Sequence, residues 1–173
     1  MVEREMKFLV SKAEFERLIV ATREVYPDAS VQIIKQTNYY YDTEDFALLK
    51  QGVTLRIREK NGQLSITRKE YQTCVNGVRT AEETKTSIDA LPEHIDGYAL
   101  LGCLHTERTR FSLTNGTRLD FDVSRYIGVE DYEIEIEFEE QLPEAFIRLL
   151  PAEFNPRGKY ERFLEQTARK SVQ

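Results

Sequence analysis

Charged residues recur at every second position through much of this chain, beginning with Glu3, Glu5 and Lys7, which alternate with Met6, Phe8 and Val10. Residues two apart share a face of an extended strand, so two carboxylates and an ammonium project together. Like charges in one row repel unless a cation or an opposite charge lies between them, and the set therefore reads as a site. The pattern returns downstream. Arg56 and Arg58 alternate with Leu55 and Ile57, while Ser65, Thr67 and Lys69 share a face. Thr106, Arg108 and Arg110 are in phase, as are Arg118, Asp120 and Asp122. Finally Glu133, Glu135 and Glu137 oppose Tyr132, Ile134, Ile136 and Phe138. A solubility surface intersperses both signs and favours Lys and Glu, whereas these faces hold Arg in pairs and carboxylates in pairs. Arg forks bind phosphate oxygens bidentately and Lys supplies a point charge. Hard cations such as Mg2+ or Mn2+ take carboxylate and phosphate oxygens together. The chemistry indicated is the binding of a polyanion with a divalent metal.

Such faces need a sheet to carry them. Alternation alone would fit any antiparallel sheet with one wet face, and sorting by sign is what points inward. If the sheet closes, the polar faces line an interior and the apolar faces pack against outer helices. The expected class is therefore α+β, an eight-stranded antiparallel closed barrel with a charged lumen and helices outside. Besides the first strand, strands are expected near 30–42, 52–60, 63–70, 78–88, 103–114, 117–125 and 130–139, with turns at Asn61-Gly62, Asn76-Gly77 and Asn115-Gly116. Ser11-Lys12-Ala13-Glu14 matches a capping box and starts a helix over about 12–25. Shorter helical pieces are read at Thr43–Lys50, Pro92–Leu101, Pro143–Leu150 and after Pro156. No Pro/Gly/Ser linker divides the chain, so residues 1–173 are expected to form one domain.

Composition narrows the partners. A net charge of −6 and a pI near 5.2 argue against a general nucleic-acid footprint. No apolar run approaches the roughly 20 residues that span a bilayer, and a soluble, cytoplasmic monomer or homodimer is expected. Cys74, expected in a loop, and Cys103, expected at a strand start, lack ligand spacing and read as reduced packing thiols. His94 and His105 fall out of phase with the charged faces and read as structural or surface residues. Tyr39-Tyr40-Tyr41 reads as packing on both faces of a sheet. Asn155-Pro156-Arg157-Gly158-Lys159 reads as a loop with a mobile basic lid, Arg157 assisting Lys159.

The same residues carry a resemblance. Glu3-x-Glu5-x-Lys7, Tyr41-Asp42-Thr43, Leu55-Arg56-x-Arg58, Thr67-x-Lys69, the Arg108/Arg110 strand, Asp122, Tyr132-Glu133-Ile134-Glu135 and Lys159-x-x-Arg162-Phe163 follow one another along the chain. In that order they resemble the CYTH family, the triphosphate tunnel metalloenzymes, and most closely its short stand-alone bacterial members. The resemblance implies an eight-stranded tunnel that binds a linear triphosphate and a divalent metal. It implies Glu3 and Glu5 as metal-side carboxylates and Lys7 as the motif lysine. Arg56, Arg58 and Lys69 match the phosphate clamp, with Arg108 or Arg110 continuing it. Asp122, Glu133 and Glu135 match a second acidic group, and Lys159 the basic residue that closes over the site. Glu82-Glu83 offers two candidates where the family shows one, and strand phase with Lys85 and Ser87 favours Glu83. Glu3, Glu5 or Glu83 would position the water or take its proton. The expected activity is metal-dependent hydrolysis of inorganic tripolyphosphate or a small organic triphosphate such as thiamine triphosphate. The rivals are an adenylyl cyclase of the same fold and a non-catalytic binder of polyphosphate or nucleotides.

Overall fold

The computed structural model describes residues 2–151 and 157–170. The strands are β1 (Val2–Val10), β2 (Ser30–Asp42), β3 (Val53–Lys60), β4 (Gln63–Val75), β5 (Val78–Ile88), β6 (His94–Ile95), β7 (Tyr98–Ser112), β8 (Arg118–Tyr126) and β9 (Val129–Glu137). The helices are α1 (Lys12–Val25), α2 (Ala47–Lys50), α3 (Glu144–Ile147) and α4 (Lys159–Lys170). Antiparallel pairing runs β2-β3-β4-β5-β1-β9-β8-β7, and β2 pairs back onto β7 from Ser30↔Ser112 to Asp42↔Ala99. Eight strands therefore close into a barrel, and the two-residue β6 lies outside it as a ninth. Among the described residues no helix is long and apolar enough to cross a membrane.

Closure works because the hydrophobic residues point outward. Met6, Phe8, Phe111, Leu119, Phe121, Ile134 and Ile136 form one buried cluster with Phe15 and Leu18 of α1 and Phe146 of α3. Phe121 sits at its centre, edge-on to Phe15, Phe111 and Phe146 with centroids 5.6, 5.6 and 5.9 Å away. Ser11 caps α1 by accepting from the Glu14 amide at 3.2 Å, as the capping box predicts. A second cluster places Leu48 of α2 over Tyr41, Leu55 and Ile57. A third closes one end of the barrel, where Tyr160, Phe163 and Leu164 of α4 pack on Tyr40, Leu104 and Tyr126. Gly102 permits that closure: its φ is +148°, and a Cβ there would stand 2.8 Å from the Phe163 ring. Asp42 ties the same end together, accepting from the Leu48 and Leu49 amides at 2.9 and 3.1 Å and from the Tyr160 hydroxyl at 2.7 Å.

Several local expectations need correction. Pro92–Leu101 is not a helix but the β6–β7 hairpin, turned at Asp96 and Gly97 with φ of 49° and 88°. Asp-Gly is a strong signal for that turn and outweighs the helix-starting tendency of Pro92. β7 consequently begins at Tyr98 rather than 103, which puts Cys103 inside the strand. β4 runs on to Val75, because the hairpin at Asn76-Gly77 pairs it with β5 along its length, so Cys74 is an exposed strand residue rather than a loop residue. The helices expected at 43–50 and 143–150 shrink to four residues each. Part of the loop Asn155–Lys159, including Asn155 and Pro156, lies outside the described residues.

Candidate active site

Inside the barrel is a cavity of about 510 Å³ whose walls are mostly charged and polar. Register explains the arrangement: Thr54↔Lys69, Arg56↔Thr67 and Arg58↔Ser65 fix β3 against β4, and Lys69↔Glu83 fixes β4 against β5. On the opposite wall Arg108↔Asp122, Asp122↔Glu133 and Lys7↔Glu135 join β7, β8, β9 and β1. Strand phase, together with the docking of α4 for Lys159, thus gathers the site residues expected from the sequence at one lumen or in the wall behind it. Glu3, Lys7, Arg56, Arg58, Lys69, Glu83, Arg108, Arg110, Glu135 and Lys159 line the cavity. Glu5, Asp122 and Glu133 are buried in the wall behind them. Glu82 is exposed, whereas its neighbour Glu83 faces inward.

The acidic side is a lattice of alternating charge. Lys69 Nζ lies 2.9 Å from Glu3 Oε2 and 2.8 Å from Glu5 Oε2. Lys7 Nζ stands 3.3 Å from both Glu5 Oε1 and Glu135 Oε2. Lys159 contacts Glu133 and lies 2.8 Å from Asp122 Oδ2 and 3.7 Å from Glu135 Oε2. Arg108 donates two bonds of 2.7 Å to Asp122, contacts Asp120 and reaches Glu135 at 3.4 Å. Arg110 donates two more of 2.7 Å to Asp120. Burial opposes ionisation of Asp122, but Arg108 and then Lys159 outweigh it and hold its pKa at about 2. Burial likewise opposes the charge on Glu135, yet Lys7, Arg108 and Lys159 keep it well below the usual carboxylate range. Lys7 and Lys69 lose charge stability through burial, and neighbouring carboxylates, Glu135 for the first and Glu5 for the second, more than restore it.

These depressed acids carry a pH prediction. A carboxylate whose pKa falls on folding stabilises the protein above its ordinary value and loses that contribution as pH falls through the folded value. For Asp122 the window runs from 3.8 down to about 2, and the contribution at neutral pH is on the order of 2 kcal/mol. Thermal melts in chelator should be nearly unchanged between about pH 7 and 5 and should fall steeply between about pH 4 and 2.

The opposite side is a basic wall that is partly neutralised. Arg56 meets Glu83 at 3.3 Å, but among the described residues Arg58 has only the amide oxygen of Asn38, 2.9 Å from its Nε. Burial, then the charges of Arg56 and Arg108, push Arg58 down to about 9, so it is still charged at neutral pH and short of an anion. Asn38 was not evident as a site residue, nor was Arg162, which bonds Glu133 at 2.7 Å and Asp131 at 3.0 Å. Strand phase could have found Asn38, two residues before Tyr40; nothing in the local pattern marks the reach of Arg162 from α4.

The donor set suits a hard divalent cation. It is all oxygen, with Asp122, Glu133 and Glu135 offering ligand atoms within 4.8 Å of one another. Glu3 and Glu135 face the cavity, and buried Glu5 Oε1 accepts no hydrogen bond although Lys7 is near.

The sequence profile of the CYTH domain matches residues 1–162. The chain belongs to the CYTH family. It is 31% identical over 193 residues to YjbK of Bacillus subtilis (strain 168), provisionally named a triphosphatase, with 99% of this chain and 98% of that protein covered. A Bacillus halodurans structure provisionally described as an adenylate cyclase is 28% identical, with 92% and 95% of the two chains covered and a TM-score of 0.68. HpAC1 from Hippeastrum, described as showing a dominant triphosphatase activity, is 20% identical, covers 94% and 95%, and has a TM-score of 0.72, a likeness of fold. CYTH membership accounts for the closed barrel and the charge-sorted lumen together.

Proposed function

We propose that this CYTH protein hydrolyses a linear triphosphate, inorganic tripolyphosphate or a small organic triphosphate, with Mg2+ or Mn2+. One observation carries the reading: a cavity that sets a guanidinium wall, in which Arg58 meets no carboxylate among the described residues and Arg56 meets Glu83 alone, against a carboxylate group on the far side. A ligand bridging the two must be anionic along its length and bound beside a cation. The triphosphatase name of the 31% identical Bacillus subtilis relative supports the same reading. Glu3 and Glu135, backed by Glu5, would hold the metal, whose positive charge would offset the negative charge on the transferred phosphoryl group. Arg56, Arg58 and Lys69 bind and orient the chain so that its terminal phosphorus meets water in line. The water oxygen bonds to phosphorus, the bridging P–O bond breaks, and pyrophosphate leaves with the electron pair when tripolyphosphate is the substrate. The water proton passes to a carboxylate at the cavity; Glu3 and Glu83 reach it, whereas Glu5 does not line it.

The clamp makes the reading testable. Arg58→Lys keeps the charge and loses the fork, so tripolyphosphate affinity should drop about tenfold or more. Arg4→Lys should change it little, because Arg4 lies outside, over the Phe138 ring and bonded to the Glu139 carbonyl. Titration calorimetry compares the two, and equal affinities would take Arg58 out of the binding site. Chelation should abolish turnover by the unmodified protein, and full activity in chelator would remove the metal from the scheme.

A further inference from the structure

The lumen face of β2 presents Gln36, Asn38 and Tyr40 in turn, and β3 sets Lys60, Arg58 and Arg56 directly opposite them. Each rung of this ladder joins a neutral donor to a cation. Gln36 Nε2, Asn38 Nδ2 and Tyr40 Oη are all buried without a hydrogen-bond partner. An unmade bond at a buried donor costs roughly 1–3 kcal/mol, and Gln36 and Tyr40, which line the cavity, call for a ligand rich in acceptors. Gln36 is only 7% exposed and lines the cavity with Lys60.

The ladder extends past what a three-phosphate clamp uses. Lys69, which contacts Glu3 and Glu5, marks the acidic end, and on the β3–β4 pair Arg56, Arg58 and Lys60 follow at successive inward positions. At about 3.4 Å per residue, Arg56 to Lys60 spans roughly 13 Å. Lys60 has no carboxylate within ion-pair distance among the described residues, and burial, then Arg110 and Arg58, lowers its pKa. Lys85, likewise without such a pair among the described residues, also lines the cavity. The cavity therefore offers four cationic levels, Lys69, Arg56, Arg58 and Lys60.

We infer that the Gln36–Lys60 rung is a subsite for a further phosphate, so that the cavity takes inorganic polyphosphates of four or more phosphates in preference to triphosphates capped by an organic group. This rests on the triphosphate reading above. An amide donor and an ammonium suit phosphate oxygens, whereas a neutral cap would offer the ammonium no anionic partner.

The test is titration calorimetry in chelator, with inorganic tripolyphosphate, linear tetrapolyphosphate and ATP as probes. One added charge-assisted contact predicts tetrapolyphosphate binding about tenfold tighter than tripolyphosphate, with ATP weaker than both. Lys60→Met, at a partly exposed position that should tolerate it, and Gln36→Leu should each bring the tetrapolyphosphate advantage to within about twofold. Equal binding of the two polyphosphates by the unmodified protein, or an equal loss for both in Lys60→Met, would overturn the subsite. A tetrapolyphosphate advantage without tripolyphosphate hydrolysis in metal would support the subsite while overturning the hydrolase reading. Hydrolysis without the advantage would do the reverse.

Discussion

Arg108→Met is expected to lower the unfolding free energy by about 3–5 kcal/mol, a large part of the 5–15 kcal/mol that holds a typical domain together. Arg108 is 6% exposed and serves Asp122, Asp120 and Glu135 at once. Methionine fills much of the same space but takes one guanidinium from three carboxylates at once, leaving Asp120 with Arg110, Asp122 with Lys159 and Glu135 with Lys7 and Lys159, so the penalty is that of buried charge left under-compensated. Arg110→Met is the control. Its partner Asp120 retains Arg108, and its own side chain is 17% exposed, so the loss should be nearer about 1–2 kcal/mol. Urea unfolding of the two variants decides the matter. Equal losses would mean that the lumen charges are solvated rather than mutually paired. The contrast also bears on binding, because both guanidiniums expected from the sequence to clamp phosphate already spend two N–H groups on an aspartate.

Glu5→Gln should have the second large effect, on rate. Glu5 is 1% exposed and lies between Lys69 and Lys7, with Oε1 accepting no hydrogen bond. The amide keeps the shape and removes the charge. Lys69 retains Glu3 and Lys7 retains Glu135, so the barrel should persist. Metal affinity should weaken enough to cut turnover by more than about 100-fold, since even residues behind metal ligands change affinity or activity 10–100-fold. Circular dichroism verifies the fold, and a metal titration of activity reads the effect. A rate within about threefold of the unmodified protein would place the metal elsewhere.

The lumen was legible in the sequence because the side-chain period of a strand is two: once Arg56, Arg58 and Lys69 were in phase with apolar neighbours, their common face followed. Turn chemistry supplied much of the connectivity, with Asn61-Gly62 and Asn76-Gly77 at positive φ as their types require. Asp96-Gly97 carries the same signal, and it turns the segment 92–101 into a hairpin despite the helix-starting tendency of Pro92. What strand periodicity could not show is which charges neutralise one another. The pairing of Arg108 with Asp122 and Asp120, and of Lys159 with Asp122 and Glu133, depends on barrel closure and on where α4 docks. Gln36 and Asn38 escaped notice because uncharged polar residues on a strand look ordinary until burial leaves their amides without partners.

The most direct measurement incubates the protein with inorganic tripolyphosphate and Mg2+ or Mn2+, separates the products by ion chromatography, and runs ATP in parallel. Hydrolysis at the terminal phosphorus predicts phosphate and pyrophosphate in equal amounts, none in chelator, and slower consumption of ATP. Formation of 3′,5′-cyclic AMP from ATP, with tripolyphosphate left intact, would contradict the account.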